Sequence, residues 1–265
     1  MNIETLCQKI NLQEEVKERV FNFAKNFDFT LVSNLLDTFK DYDKMSDSLI
    51  KLKGILGDDP DGIKILTCML KASSDAYAIY QSKGISDDIY IATMKCYSRF
   101  INETYIMSGK LCFDRYWWTT RQAGCHLFRI GELEYEIKPD KKIDIHIPSD
   151  ALFTPEKVDK SLEMAKKFFN KYYPELINLE FYCHSWLLDQ QLEIMLDKDS
   201  NIISFQKRFD ILDDGEPDQS VIQWVFHTVS TDYQSLPENT TLQRNMKKHL
   251  ISGGVIRSTS GKLKQ

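Results

Sequence analysis

Apolar residues recur at helical spacing from the start of the chain to about Ser108. Val16, Val20, Phe23, Ala24 and Phe27 are separated by acids and bases, which predicts an amphipathic helix. Thr30 is a candidate cap for a short helix carrying Leu31, Leu35 and Leu36. Leu49, Leu52, Ile55 and Leu56 form a third stripe, ended by Gly57, Asp58, Asp59 and Pro60. Ile63, Leu66, Met69 and Leu70 begin a fourth that runs to Gly84. Ser86, Asp87 and Asp88 supply a cap and first-turn acids for a fifth, with Ile91, Met94, Tyr97, Ile101 and Tyr105 on its apolar face. Ser108-Gly109 is a stop signal, and no internal repeat is visible.

After Gly109 the period shortens. Strand-like segments run over 126–137, 143–148, 179–188, 201–212 and 221–229, with helices near 155–172, 189–196 and 239–252. Within 126–137, Phe128 and Ile130 share one phase and Leu133, Tyr135 and Ile137 the other. A one-residue slip at Gly131-Glu132 reads as a β-bulge, a feature that bends sheets beside ligand sites. Thr154 can cap the helix that follows, Pro155 suits its first position, and Val158, Leu162, Ala165, Phe169 and Tyr172 make its apolar face. Asp213–Pro217 reads as a hairpin turn. The expected architecture is α+β: an all-helical N-terminal domain over 1–108, then a mixed β-sheet with flanking helices over 109–265.

Composition narrows the class. The chain has 265 residues, 42% hydrophobic and 28% charged, an ordinary globular balance. A net charge of -5 argues against nucleic acid as partner. The six cysteines form no CxxC pair, so neither a metal site nor a disulfide framework is expected. No secretory leader or membrane-length apolar run is visible, which predicts a cytoplasmic protein.

Arg121-Gln122, the run from His126 to Tyr135, and His146-Ile147-Pro148 carry a resemblance. So do Ser185–Asp189, Ser200–Ile202 with Phe205, Leu236-Pro237 and Thr241–Arg244. With these residues the chain resembles a two-domain bacterial acyltransferase-like family, a helical N-terminal domain joined to a GNAT-like C-terminal domain. The resemblance implies acyl-CoA as cosubstrate and an amine as acyl acceptor. In the GNAT fold two parallel strands splay at their carboxyl ends and the thioester arm lies in the wedge. The pyrophosphate rests on the N-terminus of the next helix, a place suited to an anion. Carried onto this chain, the arm would meet the backbone at Ile145, Ile147 and Ser149. Between Ile147 and Val158, however, there is no Gly, Pro155 lacks an amide donor, and Asp150, Glu156 and Asp159 bring negative charge. Arg121, Arg129 and Arg244 are alternative phosphate contacts. Arg244 belongs to a tail, Asn239–Gln265, that contains Lys and Arg but no Asp or Glu.

Chemistry-bearing side chains follow from strand alternation. Taking Ile137 opposite Ile143 pairs Glu134 with His146, and such a pair can serve as general base for an amine. The bland alternative is a solvated cross-strand pair. Tyr182 or Ser185 could line the wedge and protonate a leaving thiolate or hold a carbonyl. Alternation separates Cys183 from His184, which disfavours a Cys–His dyad and a hydrolase. Two functions remain: an acyl-CoA-dependent N-acyltransferase, and a catalytically silent GNAT-like module that binds a metabolite or protein.

Overall fold

The computed structural model describes residues 1–176 and 179–264. The helical stripes become helices at Ile3–Lys9, Glu14–Asn26, Ser33–Thr38, Met45–Leu56, Ile63–Lys83, Asp87–Met94, Cys96–Ser108 and Tyr116–Ala123. Ile63–Lys83 is the axis of this part, with Ile65, Leu66, Cys68, Met69, Leu70, Ala76 and Tyr80 all buried. Apolar burial on every side is what a core helix requires. It ends at Gly84, whose φ of 71° lets its N–H reach back to the carbonyls of Gln81 and Tyr80. Thr30 does not act as a cap. Asp28 accepts the Thr30 N–H at 3.0 Å and opens a single 3₁₀ turn, Phe29–Leu31.

Two units divide the chain. The first comprises Met1–Ile130, Glu134–Lys141 and Asn170–Pro174; the second comprises Gly131–Leu133, Lys142–Phe169 and Glu175–Gln265.

The stretch expected to be one bulged strand is instead two neighbouring strands, β1 (Leu127–Ile130) and β2 (Leu133–Ile137). The chain reverses at Gly131-Glu132, and the Ile137 N–H donates to the His126 carbonyl at 2.7 Å. In a two-residue hairpin the facing positions have opposite parity, so the apolar phase slips without any bulge. Gly131 has a φ of 65° and Glu132 is not in the positive region, as a II′-like turn demands. The Leu133 N–H donates to Ser161 Oγ at 3.2 Å.

In the second unit β3 (Ile143–His146) and β4 (Phe181–Ser185) are parallel, joined through the helix Pro155–Tyr172. Val158, Leu162, Ala165 and Phe169 of that helix are buried, and Phe169 meets Phe181 edge-on at 6.1 Å. The expected strand at 201–212 is a helix, Asn201–Gln206, followed by the short strand β5 (Phe209–Ile211). Ser200 caps this helix by accepting the Ile203 N–H at 3.3 Å. The expected strand at 221–229 is the helix Ser220–Phe226. Its Val221, Ile222, Val225 and Phe226 pack with Met246 and Leu250 of the helix Thr241–Ile251, so the i, i+4 spacing overrode β-branched propensity. The expected helix at 189–196 is a 3₁₀ segment, Gln190–Ile194.

The basic tail includes a further strand. After β6 (Glu216–Pro217), residues Arg257–Leu263 form β7, antiparallel to β4, β5 and β6. This strand carries almost no apolar signal. It is placed by backbone pairing on both sides, and at Gly261 a Cβ would stand 2.8 Å from Leu188 and 3.0 Å from Phe209.

Gly131→Ala is expected to destabilise the protein by about 1–2 kcal/mol, the cost of a left-handed Cα for an L-residue. The new Cβ would also lie 3.1 Å from that of Ser161. Urea melts monitored by circular dichroism measure this.

Candidate functional site

The hydrogen-bonded register between β3 and β4 consists of Ile143–Phe181 and Asp144–Tyr182. Beyond it β3 continues to His146 and β4 to Ser185. On its other edge β4 is held along Tyr182–Ser185 by β7. β4 is therefore paired with β7 along Tyr182–Ser185 and with β3 at Phe181 and Tyr182, which makes the carboxyl ends of the parallel pair the candidate ligand wedge.

The same offset places Ile145 level with Cys183, and His146 level with His184. Alternation then sorts the side chains. Ile143, Ile145, Phe181 and Cys183 share the buried face toward Pro155–Tyr172. Asp144, His146, Tyr182 and His184 share the opposite face, where none of them is buried. Carried two residues past the last paired positions, the register brings His146 and His184 to corresponding places on the parallel strands. Alternation along β4 alone relates His184 only to residues of its own strand. The parallel register is the signal that brings it to His146.

The surroundings of β4 fix several roles. Tyr182 Oη donates to Glu180 Oε2 at 2.8 Å, and Lys262 pairs with the other Glu180 oxygen. Lys262 holds the Glu180 carboxyl below its ordinary value, with Tyr182 assisting. Ser185 Oγ accepts the Leu187 N–H at 3.1 Å and caps the 3₁₀ turn Trp186–Leu188. Burial pushes the Cys183 thiol far up, so it is no nucleophile. His184 Nδ1 lies 3.1 Å from Ser260 Oγ, and the Ser260 N–H donates to Asp213 Oδ1 at 3.0 Å. Ser260 holds the Asp213 carboxyl below its ordinary value.

The start of the crossover helix carries the expected acids, and a cation meets one of them, Asp159. Arg208 Nε lies 2.7 Å from Asp159 Oδ1, and its Nη2 donates to the Pro155 carbonyl at 3.3 Å. Lys157 is 3.7 Å from Glu132, whose other oxygen accepts the Leu152 N–H at 2.9 Å. Arg208 was not visible as a site residue, because only the fold brings it to Pro155. Of the expected backbone contacts, Ile145 is buried, Ile147 half-buried and Ser149 exposed. Arg244 is exposed and donates to the Glu238 carbonyl and Thr241 Oγ1, both at 3.1 Å.

Glu134 and Arg121 lie in the first unit, in buried ion pairs. Arg99 Nη2 approaches Glu134 Oε1 to 2.8 Å, with side-chain exposures of 10% and 3%. Arg121 Nε approaches Glu136 Oε1 to 2.9 Å and stacks over Trp118; Tyr42 also donates to that carboxylate. Arg129 is buried on β1, its backbone N–H donating to Thr93 Oγ1 at 2.9 Å. Both faces of β2 are buried, which the alternating charges had concealed.

A helical first part, a mixed sheet and a parallel pair opening at its carboxyl ends define a GNAT-like architecture. Residues 1–125 match the N-acyltransferase N-terminal domain, and residues 127–263 match the GNAT-like C-terminal domain. The chain belongs to the family that joins these two domains. Among solved structures it resembles an acyltransferase in complex with decanoyl-CoA and teicoplanin, at 24% identity and a TM-score of 0.79. It also resembles an acyltransferase in complex with CoA and 10C-teicoplanin, at 23% and 0.80, and a mutant with octanoyl-CoA, at 23% and 0.79. Each match covers 98% of this chain and 86% of the other. At these identities the likeness is one of fold. A search of curated proteins found no match.

Breaking the Arg99–Glu134 pair by Arg99→Ala is expected to cost about 3–5 kcal/mol, because a buried carboxylate loses its partner. The double change Arg99→Met with Glu134→Leu should recover most of it. Urea denaturation of the three proteins tests this. An Arg99→Ala protein as stable as wild type would contradict the assignment.

Proposed function

We propose that the protein is an acyl-CoA-dependent N-acyltransferase. The observation that carries the reading is the β3–β4 register, which stops at Asp144–Tyr182 while both strands run on. A strand that departs from its parallel partner leaves main-chain groups that an extended amide-bearing ligand can pair with. The pantetheine arm of CoA is such a ligand. Its thioester would lie between Ile145–Ile147 and Cys183–Ser185, with the acceptor approaching on the face of His146 and Tyr182. The named complexes of the fold neighbours, with CoA, octanoyl-CoA and decanoyl-CoA, support this choice of donor. The teicoplanin complexes support a bulky acceptor, and the acceptor group we assign is an amine.

In this reading His146 takes the proton that the amine loses as the C–N bond forms. Glu134 is a structural anion held by Arg99. Ser185 orients the turn after β4, and Tyr182 shapes the acceptor side while its hydroxyl serves Glu180. Arg208, which reaches the Pro155 carbonyl at the start of the crossover helix, stands in for the Gly-rich loop, with Arg244 as a further phosphate contact. Asp150, Glu156 and Asp159 around the start of that helix give the second reading its support: a module of this fold that has lost the diphosphate site and catalyses nothing.

Isothermal calorimetry with CoA, acetyl-CoA and decanoyl-CoA separates the two. Binding of at least one is expected; heat from none would end the acyltransferase reading. Where binding occurs, His146→Ala should lower acyl transfer by about 10²–10⁴-fold with donor affinity little changed. An unaltered rate would remove His146 from the role.

A further inference from the structure

We propose that His184 is the acid that protonates the CoA thiolate as it leaves. The inference rests on the acyltransferase reading above and adds the second half of the proton transfer. In acyl transfer the C–N bond forms, the C–S bond breaks with its electron pair staying on sulfur, and sulfur needs a proton. Of the hydroxyls suggested for that step by the sequence, that of Tyr182 is already donated to Glu180 and that of Ser185 is held at the turn after β4. Cys183 is buried on the other face.

His184 meets the geometric demands. The β3–β4 offset, carried two residues past the pair Asp144–Tyr182, sets His184 at the position corresponding to His146 on the parallel strand and on the same face, beside the place proposed for the thioester. The side chain is exposed. Ser260 engages Nδ1 at 3.1 Å, which orients the ring and leaves Nε2 as the atom for substrate. Ser260 is itself fixed, by its place in β7 opposite His184 and by its N–H bond to Asp213. Asp213 and Asp218 lie within electrostatic reach of the ring. Tyr182 is the neighbouring side chain on the same face of β4.

The step balances without a further reactant. The amine gives one proton to His146, and the thiolate takes one from Nε2 of protonated His184. Water then removes the proton from His146 and restores one to His184, leaving amide and free thiol.

The test uses the full chain, with hydroxylamine as the small nucleophile and two decanoyl donors. Decanoyl-CoA has a basic thiolate leaving group that needs a proton. Decanoyl thionitrobenzoate releases a stable thiolate that needs none. His184→Gln is expected to lower kcat/KM with decanoyl-CoA by about 10²-fold, while the activated donor changes by less than about threefold. Ser260→Ala should show the same asymmetry to a smaller degree, and both variants should melt like wild type. Equal losses with both donors would mean a merely structural role and overturn the proposal, as would no loss with either. If wild type turns over neither donor and binds no acyl-CoA, the acyltransferase reading itself fails. If it binds decanoyl-CoA but transfers nothing, the acyltransferase reading gives way to the silent module and the acid role falls with it; the variant comparison on an active wild type is what overturns the acid role alone.

Discussion

The second unit depends on an asymmetry at one strand. β4 is bonded along Tyr182–Ser185 to β7, but to β3 only at Phe181 and Tyr182. Backbone N–H and C=O groups require partners, so a central strand released on one edge is a constraint the fold must meet from elsewhere. The crossover helix explains why the release is tolerated. Val158, Leu162, Ala165 and Phe169 are buried, as are Ile143, Ile145, Phe181 and Cys183 of the two strands, and Phe169 meets Phe181. The opposite face then collects the polar side chains, among them His146, Tyr182 and His184.

Electrostatics sorts the remaining candidates. Carboxylates are costly to bury unless paired, and Glu134 and Glu136 are buried beside Arg99 and Arg121. Those pairs belong to the architecture of the first unit. At the start of the crossover helix, Asp159 is answered by Arg208 and Glu132 by Lys157. That arrangement moderates the negative field at the place where a diphosphate would rest. No helix among the described residues is long and apolar enough to cross a membrane.

Much of this was legible from residue pattern, and what was not has identifiable causes. The helix at 155–172 announced itself by a long stripe and Pro155, and β3 and β4 by alternation. Val221, Ile222, Val225 and Phe226 fit a strand by propensity and a helix by spacing; packing against Met246 and Leu250 decided for the helix. β7 gave no signal, since Ser258, Thr259, Ser260, Gly261 and Lys262 owe their place to neighbours on both sides. Gly131 marked the right point in the chain but the wrong feature, because a hairpin and a bulge both slip the phase by one. His146 could be found on its strand alone. His184 and Arg208 could not, since each acquires its meaning from a residue about 40 to 50 positions away (His146 and Asp159, respectively).

Hydrogen–deuterium exchange with and without decanoyl-CoA tests the wedge most directly. Each residue of these segments except Pro148 carries its own amide as a reporter, and a ligand pairing with the strand edges must slow exchange there. Protection concentrated in the peptides spanning Ile145–Ser149 and Cys183–Ser185 is the result this account predicts. Saturating donor that protects neither segment, or only segments of the helical first unit, would contradict it.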